Sequence, residues 1–185
     1  FLLNLPLIMG VVNVTPDSFS DGGRYQSTQQ AIAHAMSLID EGVDILDIGG
    51  ESTRPGSQSV SIDEELRRVI PVLEGLSGQN TAISVDTSKP EVMKQAINAG
   101  AFMINDVNAL RSPGALEVLA QNNHVQICLM HMQGTPQDMQ KSPQCKNIVA
   151  EVKDFLQQRI DTVKAAGISQ DRLVIDPGFG FGKTL

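Results

Sequence analysis

Short apolar runs alternate with amphipathic segments along the whole chain. Six runs have the length and composition of buried strands, and they cover residues 7–12, 43–48, 81–85, 102–105, 125–130 and 172–175. Between these runs, apolar residues recur every three or four positions, as they do on the inner face of a helix. The longest such segment is 146–166, whose inner positions are Val149, Val152, Leu156, Ile160 and Val163. The pattern predicts a chain of alternating strands and helices.

Residues that start and end helices support this division. Three capping boxes are predicted, and they pair Ser27 with Gln30, Ser61 with Glu64, and Ser88 with Glu91. Pro113, which follows Ser112, is typical of a first helical turn. A glycine closes three of the predicted helices shortly before the next strand, at Gly42, Gly100 and Gly167.

Strands that alternate with helices predict a parallel sheet, either an open doubly wound sheet or a barrel. Polar residues end all six strands rather than one or two: Asn13, Asp47 with Glu51, Asp86, Asn105 with Asp106, His131 and Asp176. A barrel would bring all of them to one mouth. No glycine-rich dinucleotide motif follows the first strand, although an open sheet would often carry one there. The residues favour the barrel and leave the open sheet as the alternative.

Composition limits the function further. A chain of 185 residues, 41% hydrophobic and 19% charged, can bury one good core and fits one domain. The net charge of −7 argues against a nucleic-acid surface, which needs clustered Lys and Arg. No apolar run is long enough to span a membrane. Cys128 and Cys145 match no zinc or disulfide spacing, so we expect a reducing, cytoplasmic setting.

The first residues were also considered as a targeting segment. Residues 1–6 have no basic start and no small-residue cleavage pattern, so we do not expect a signal peptide. The missing initiator Met suggests trimming.

Two loop motifs and four shorter ones carry the chemistry. The loops are NVTPDSFSDGG at 13–23 and GGESTRPG at 49–56. The others are SVDTSKP at 84–90, IND at 104–106, CLMHMQG at 128–134 and DPGFGFGK at 176–183. DPGFGFGK lacks the spacing of a phosphate-binding P-loop, so we reject that interpretation. The six motifs, in this order and at this spacing, resemble the dihydropteroate synthases over all 185 residues.

The resemblance implies a TIM (β/α)8 barrel and an enzyme of folate biosynthesis. Its reaction would condense 6-hydroxymethyl-7,8-dihydropterin diphosphate with p-aminobenzoate and release diphosphate. Only six of the eight β-α units can be assigned, so residues 1–185 are predicted to form a single pterin-binding barrel domain that lacks its two C-terminal units. The resemblance also implies a homodimer for the full-length protein.

Three strand-end residues are candidate ligands of the pterin, namely Asp86, Asn105 and Asp176. A pterin edge presents N–H donors beside acceptors, so buried carboxylates and carboxamides suit it better than basic groups. A single strand-end aspartate is about as often a cap for the following turn. The resemblance places all three residues in the pterin pocket, with Met130 and Phe181 as its apolar walls.

The two long loops supply the remaining candidates by resemblance. Their active-site residues would be Asp17, Phe19, Asp21, Thr53, Arg54 and Pro55. Phe19 and Pro55 would flank the p-aminobenzoate ring. Asp21 would stabilise a cation that forms on the pterin, and Arg54 offers a forked cation suited to phosphate.

Mg²⁺ is the expected cofactor, with the carboxamide oxygen of Asn13 as its ligand. Hard Mg²⁺ binds few protein groups and keeps several waters. The alternative for Asn13 is a plain strand cap. His131 is given no catalytic role, because a histidine at a strand end is more often a structural hydrogen-bonding residue.

Two other functions were considered. A pterin-binding methyltransferase domain would share the barrel and the pterin carboxylates but not the two loop motifs. A pterin-binding paralogue without catalysis, or an inactive fragment, is the second alternative, and a diphosphate-release assay would distinguish it.

Overall fold

The structure is a computed structural model that describes residues 6–14, 24–52, 57, 59–132 and 147–181. Its elements are β1 (Met9–Asn13), α1 (Arg24–Asp40), β2 (Ile45–Gly49), α2 (Ile62–Gly75), β3 (Ala82–Asp86), α3 (Pro90–Asn98), β4 (Met103–Asp106), α4 (Ala115–Gln121), β5 (Gln126–Met130), α5 (Ile148–Ala165) and β6 (Leu173–Asp176). A short 3-10 turn, Gln170–Arg172, precedes β6. The predicted alternation is confirmed. Each strand begins one or two residues later than predicted, and β1, β3, β4 and β6 include the polar residues predicted at their ends, whereas β2 ends at Gly49 and β5 at Met130.

The six strands form one parallel sheet in the order β1-β2-β3-β4-β5-β6. In an open doubly wound sheet the strand order reverses at a switch point. Here the order never reverses, and the helices pack on their neighbours in sequence, α1 on α2, α2 on α3 and α3 on α4. The described chain is therefore part of a (β/α)8 barrel, as predicted.

The strand register separates two faces of the sheet, because successive side chains point to opposite sides. One row packs against the helices and is apolar throughout: Val12, Ile48, Val85, Ile104, Ile127 and Leu173. The next row lies one position later and faces the barrel interior: Asn13, Gly49, Asp86, Asn105, Cys128 and Val174. The main hydrophobic core thus lies between sheet and helices, and the interior near the strand ends is polar.

Of the three predicted N-caps, the one at Ser61 is confirmed and the other two are wrong. The hydroxyl of Ser61 caps α2 and accepts a hydrogen bond from the backbone N–H of Glu64 at 3.2 Å. Helix α1 already begins at Arg24, so Ser27 lies inside it. At α3 the N-cap position is Lys89, which makes no side-chain cap bond. Ser88 donates its hydroxyl hydrogen to Asp106 instead, at 2.5 Å.

The remaining boundary predictions had mixed outcomes. Helix α4 begins at Ala115, after Gly114 with φ of 90°, so Pro113 does not lie in its first turn. Gly42, Gly100 and Gly167 have φ of 92°, 99° and 85° and close their helices as predicted. In α5, Val149 is 65% exposed and does not belong to the predicted inner face.

The inner face of α5 otherwise follows the prediction. Val152, Leu156 and Val163 are buried. They pack in the main core.

A buried arginine, Arg172, stabilises the end of the barrel opposite the polar mouth. Arg172 donates hydrogen bonds to the backbone oxygens of Val125 at 2.8 Å, Leu119 at 3.1 Å and Asn122 at 2.9 Å. These carbonyls lie at the end of α4 and in the turn that leads to β5. Arg172 lies directly before β6, so these hydrogen bonds tie the start of β6 to α4 and to the turn between α4 and β5.

The two outer strands of the sheet expose apolar side chains. Val11 of β1 is 54% exposed and Ile175 of β6 is 52% exposed. No helix within the described part of the chain is long and apolar enough to cross a bilayer.

Candidate active site

The polar interior row places Asn13 and Asp86 on either side of Gly49. The register pairs Asn13 with Gly49 and Gly49 with Asp86. A Cβ atom built on Gly49 would lie 3.7 Å from Asn13 Oδ1 and 3.7 Å from Asp86 Oδ2. The missing side chain leaves open space between a carboxamide oxygen and a carboxylate oxygen at the barrel mouth.

Asp86 is half-buried at the end of β3. Burial, together with the negative charges of Asp47 and Asp106, raises the pKa of Asp86 well above the usual carboxyl value. Among the residues that the structure describes, none donates a hydrogen bond to this carboxylate.

Asn105 pairs with Asp86 in the register and is held from below by Asp47. Its Nδ2 donates to Asp47 Oδ2 at 2.9 Å. Asp47 lies in the middle of β2 and is only 5% exposed. Burial raises the pKa of Asp47, although the side chains of Ser84 and Asn105 favour its charged form. The sequence analysis noted Asp47 as a polar strand residue and gave it no role.

Asp176 ends β6 beside Met130, its register partner in β5. Its Oδ1 accepts a hydrogen bond from the backbone N–H of Gly178 at 2.7 Å. The carboxylate thus caps the following turn with one oxygen, which was the alternative role considered for a strand-end aspartate. The ligand role of Asp176 stays a prediction.

An apolar cluster stands next to these polar groups. It consists of buried Val107, Met130 and Met132, with Phe181 packed against it. The cluster is separate from the main core between sheet and helices. Met130 and Phe181 were predicted as apolar walls of the pocket from the sequence, whereas Val107 and Met132 were not. Both missed residues come shortly after a strand end that carries a motif, which is the signal that could have identified them.

Two of the residues expected at the mouth lie elsewhere. Asp106 is fully buried on the helix side and accepts hydrogen bonds from Ser88 Oγ at 2.5 Å, Asn108 N at 2.8 Å and Leu110 N at 2.8 Å. Burial raises the pKa of Asp106, and these hydrogen bonds oppose the shift. The prediction that Asp106 faces the mouth with Asn105 is wrong, because adjacent strand residues point to opposite faces.

His131 is the second of these residues. It is buried, and its ring meets the ring of Phe155 in α5 edge-on, with centroids 5.0 Å apart and an interplanar angle of 86°. The ring therefore packs toward a helix and not into the mouth. This position fits the structural role predicted for His131.

Glu51, just beyond β2, belongs to an ion-pair cluster that the sequence analysis did not find. Lys89 Nζ donates to Glu51 Oε2 and to Glu65 Oε2. Glu51 Oε2 also accepts from the backbone N–H of Val60 at 3.1 Å. Burial works against the charge of Lys89, yet the two glutamates hold its pKa above the usual value. The cluster fixes the start of the β2 loop against α2 and α3.

The predicted residues of the two long loops lie outside the described residues. They are Asp17, Phe19, Asp21, Thr53, Arg54 and Pro55. Their roles stay predictions. The described part of the site brings together Asn13, Asp86, Asn105, Met130, Asp176 and Phe181 at the carboxyl ends of the strands.

Comparison of the sequence with known protein families gives a result that agrees with a site that has a polar mouth and an apolar wall. The sequence profile of the family described as "Pterin binding enzyme" matches residues 9–185. The chain belongs to the pterin binding enzyme family. This membership confirms the resemblance drawn from the six motifs.

Relatives within the pterin binding enzymes are similar over almost the whole chain. The dihydropteroate synthase of Escherichia coli (strain K12) is 50% identical over 184 residues, which are 99% of this chain and 65% of that protein. The dihydropteroate synthase of Neisseria meningitidis serogroup C is 52% identical over 185 residues, again 99% of this chain and 65% of that protein. The chain thus spans about 65% of the length of these curated relatives.

Solved structures of pterin binding enzymes have the same fold. Xanthomonas albilineans dihydropteroate synthase with 4-aminobenzoic acid superimposes with a TM-score of 0.90 at 55% identity, covering 98% of this chain and 64% of that chain. The same enzyme in complex with 7,8-dihydropteroate gives a TM-score of 0.85 at 50% identity, covering 100% of this chain and 64% of that one. These structures support the assignment of the described sheet to a (β/α)8 barrel.

Proposed function

We propose that the protein is a dihydropteroate synthase. It condenses 6-hydroxymethyl-7,8-dihydropterin diphosphate with p-aminobenzoate to give 7,8-dihydropteroate and diphosphate. The observation that carries the proposal is the half-buried Asp86 carboxylate, which has no donor among the described residues and lies beside Asn105. Relatives at about 50% identity that are named dihydropteroate synthase support it.

The strand ends hold the pterin. Asp86 accepts N–H groups of the ring edge, and Asn105 offers both an acceptor and a donor from its carboxamide. Asp176 adds a carboxylate oxygen from β6. Met130 and Phe181, in one apolar cluster, pack against the ring and exclude water, which strengthens the neighbouring hydrogen bonds.

The loops carry the transfer step. The aryl amine of p-aminobenzoate is already neutral near pH 7, so no general base is needed to prepare it. The carbon–oxygen bond to diphosphate breaks first and leaves a cation on the pterin. The amine nitrogen then forms a bond to the exocyclic methylene carbon and loses a proton to solvent. Asp21 stabilises the positive charge that spreads over the pterin, and Arg54 binds the departing diphosphate. Phe19 and Pro55 hold the aromatic ring of the amine, and Asp17 and Thr53 complete the closed site.

The donor set near Asn13 fits Mg²⁺. Asn13 is exposed at the end of β1 and points its Oδ1 toward the space over Gly49. No group of three or more His, Cys, Asp or Glu side chains in the described ranges could hold a metal ion. An ion that binds one protein oxygen and otherwise water and substrate oxygens suits this arrangement. Bound Mg²⁺ would supply positive charge to the diphosphate leaving group.

The oligomeric state, cellular location and partners of the enzyme are proposed from the same resemblance. The full-length protein acts as a homodimer in the cytoplasm. Its partners are the two small-molecule substrates.

Diphosphate release by the full-length protein tests the proposed function. We expect release that depends on both the pterin diphosphate and p-aminobenzoate, with 7,8-dihydropteroate identified by mass spectrometry. Asp21→Ala and Arg54→Ala should suppress turnover while leaving the binding of a simple pterin nearly intact, since the strands hold the pterin. A protein that binds pterin but releases no diphosphate would be the non-catalytic paralogue, and the proposal would fail.

A further inference from the structure

Asp47 is a charged residue in the most buried strand of the sheet. All five residues of β2 are buried. Asp47 faces the barrel interior in register with Ser84, one interior row below Gly49, Asp86 and Asn105. It therefore lies beneath the pocket floor and not at the mouth. Burial raises the pKa of Asp47, while hydrogen bonds from the side chains of Ser84 and Asn105 lower it and favour the ionised carboxylate.

The partner of Asp47 explains its position. Asn105 Nδ2 donates to Asp47 Oδ2 at 2.9 Å, across β3, although the two residues are 58 positions apart in sequence. The two ends of a carboxamide have nearly the same shape and differ only in hydrogen bonding. An ionised carboxylate accepts hydrogen bonds and donates none. Asp47 can therefore hold only the nitrogen end of Asn105, and the oxygen end must point away from it.

We propose that Asp47 is a positioning residue that orients the carboxamide of Asn105, so that Oδ1 is presented to an N–H donor of the pterin. The inference rests on the proposed function, in which Asn105 binds the pterin edge. Asp47 does not touch the ligand in this account. It sets which of two nearly equal amide orientations the pocket offers, and thereby favours ligands that carry a donor at that place.

The variant Asp47→Asn removes this control with almost no change of shape. Two facing carboxamides can pair in either direction, so Asn105 would populate both orientations. We expect the affinity of the full-length protein for 7,8-dihydropteroate to fall about fivefold, as for the loss of one hydrogen bond. The midpoint of urea unfolding should not fall, because a buried carboxylate is replaced by a neutral group.

A double-mutant cycle separates positioning from direct contact. Asn105→Ala lowers the affinity for 7,8-dihydropteroate by itself, and adding Asp47→Asn to it should cause no further loss. The control is Asp106→Asn, which changes a buried carboxylate next to Asn105 that accepts hydrogen bonds from Ser88 and from the backbone of the β4–α4 loop. That variant should lower the stability and leave the affinity of the folded protein nearly unchanged.

Calorimetric titration of the four proteins of the cycle decides the question. Unchanged affinity in Asp47→Asn would overturn the inference and leave the proposed function standing. The inference would also be overturned if Asp47→Asn lowered the affinity for 7,8-dihydropteroate by the same factor in wild type and in Asn105→Ala. Asp47 would then act independently of the Asn105 carboxamide. A wild-type protein that binds no 7,8-dihydropteroate would contradict the proposed function and the inference together.

Discussion

Asn13 and Asp86 lie on either side of Gly49, and a side-chain oxygen of each is 3.7 Å from the position that a Cβ atom of Gly49 would occupy. Gly49→Ala would place that methyl 3.6 Å from Asp86 Cβ and 3.7 Å from Asn13 Oδ1, which are ordinary contact distances. We expect the variant to fold with a free energy of unfolding within about 1 kcal/mol of wild type. Its affinity for a pterin should fall at least about tenfold, because the methyl occupies the pocket floor.

The neighbouring glycine is the matched control. A Cβ atom on Gly50 would lie 2.8 Å from Val69 Cγ2 and 3.3 Å from the backbone oxygen of Glu65. Gly50→Ala should therefore destabilise the fold by about 1–3 kcal/mol. Urea unfolding of both variants and calorimetry of Gly49→Ala test the pair. Equal stability of the two variants would contradict the packing described around Gly50.

The raised pKa of Asp86 makes stability depend on pH. The folded state binds this proton more tightly than the unfolded chain, whose carboxyl has the ordinary value of 3.8. The stabilisation is complete below that value and is lost as the pH rises through the higher pKa of the folded state. The neutral side chain of Asp86→Asn does not titrate, so the stability of the variant relative to wild type should increase as the pH rises above the ordinary carboxyl value of 3.8.

Urea unfolding of wild type and Asp86→Asn across this pH range checks the prediction. The neutral variant should at the same time bind pterin more than about tenfold more weakly, because an acceptor for N–H groups becomes a mixed donor and acceptor. A stability difference that stays constant with pH would show that the carboxyl is ionised throughout.

Lys89 compensates a buried negative charge. It bonds to Glu51 and to Glu65, and the side chain of Glu65 is only 1% exposed. Lys89→Met should destabilise the protein by about 3 kcal/mol, since it leaves Glu65 buried without its cation. Denaturant unfolding measures the change. A loss of well under 1 kcal/mol would mean that Glu65 does not depend on Lys89 as its partner.

The control for Lys89 is an exposed ion pair. Arg67 pairs with Glu64 at 2.7 Å, and the Arg67 side chain is 53% exposed. Arg67→Met should change the free energy of unfolding by no more than about 0.5 kcal/mol, because solvent screens the pair.

The exposed apolar faces of β1 and β6 lead to a prediction about residues 1–185 expressed alone. Val11 and Ile175 would meet water, and both outer strands would present unpaired backbone groups. We expect this polypeptide to aggregate or to form oligomers and to release no diphosphate. Light scattering coupled to size-exclusion chromatography tests it, with a protein of the relatives' full length as control. A monodisperse, active species of 19.9 kDa would refute the prediction.

Much of the fold follows from local sequence, and part of the site does not. Buried parallel strands are apolar runs, so their positions were predicted to within two residues. The direction of each side chain depends on the register, which is why Asn105 and Asp106 were expected together although they point to opposite faces. Lys89 and Asp47 were missed or left without a role because their partners lie 24 to 58 positions away. No local pattern marks such pairs.

The hydrogen bonds of Arg172 have a consequence for the newly made chain. Leu119 leaves the ribosome 53 residues before the arginine that binds its carbonyl. At the usual speed of translation the interval is roughly 3 to 10 s. Until then, among the residues that the structure describes, the carbonyls of Leu119 and Asn122 have only local backbone partners, the N–H groups of Asn122 and Val125, each at 3.4 Å. The hydrogen bonds that tie the end of α4 to the start of β6 can therefore form only after the chain has been synthesised as far as Arg172.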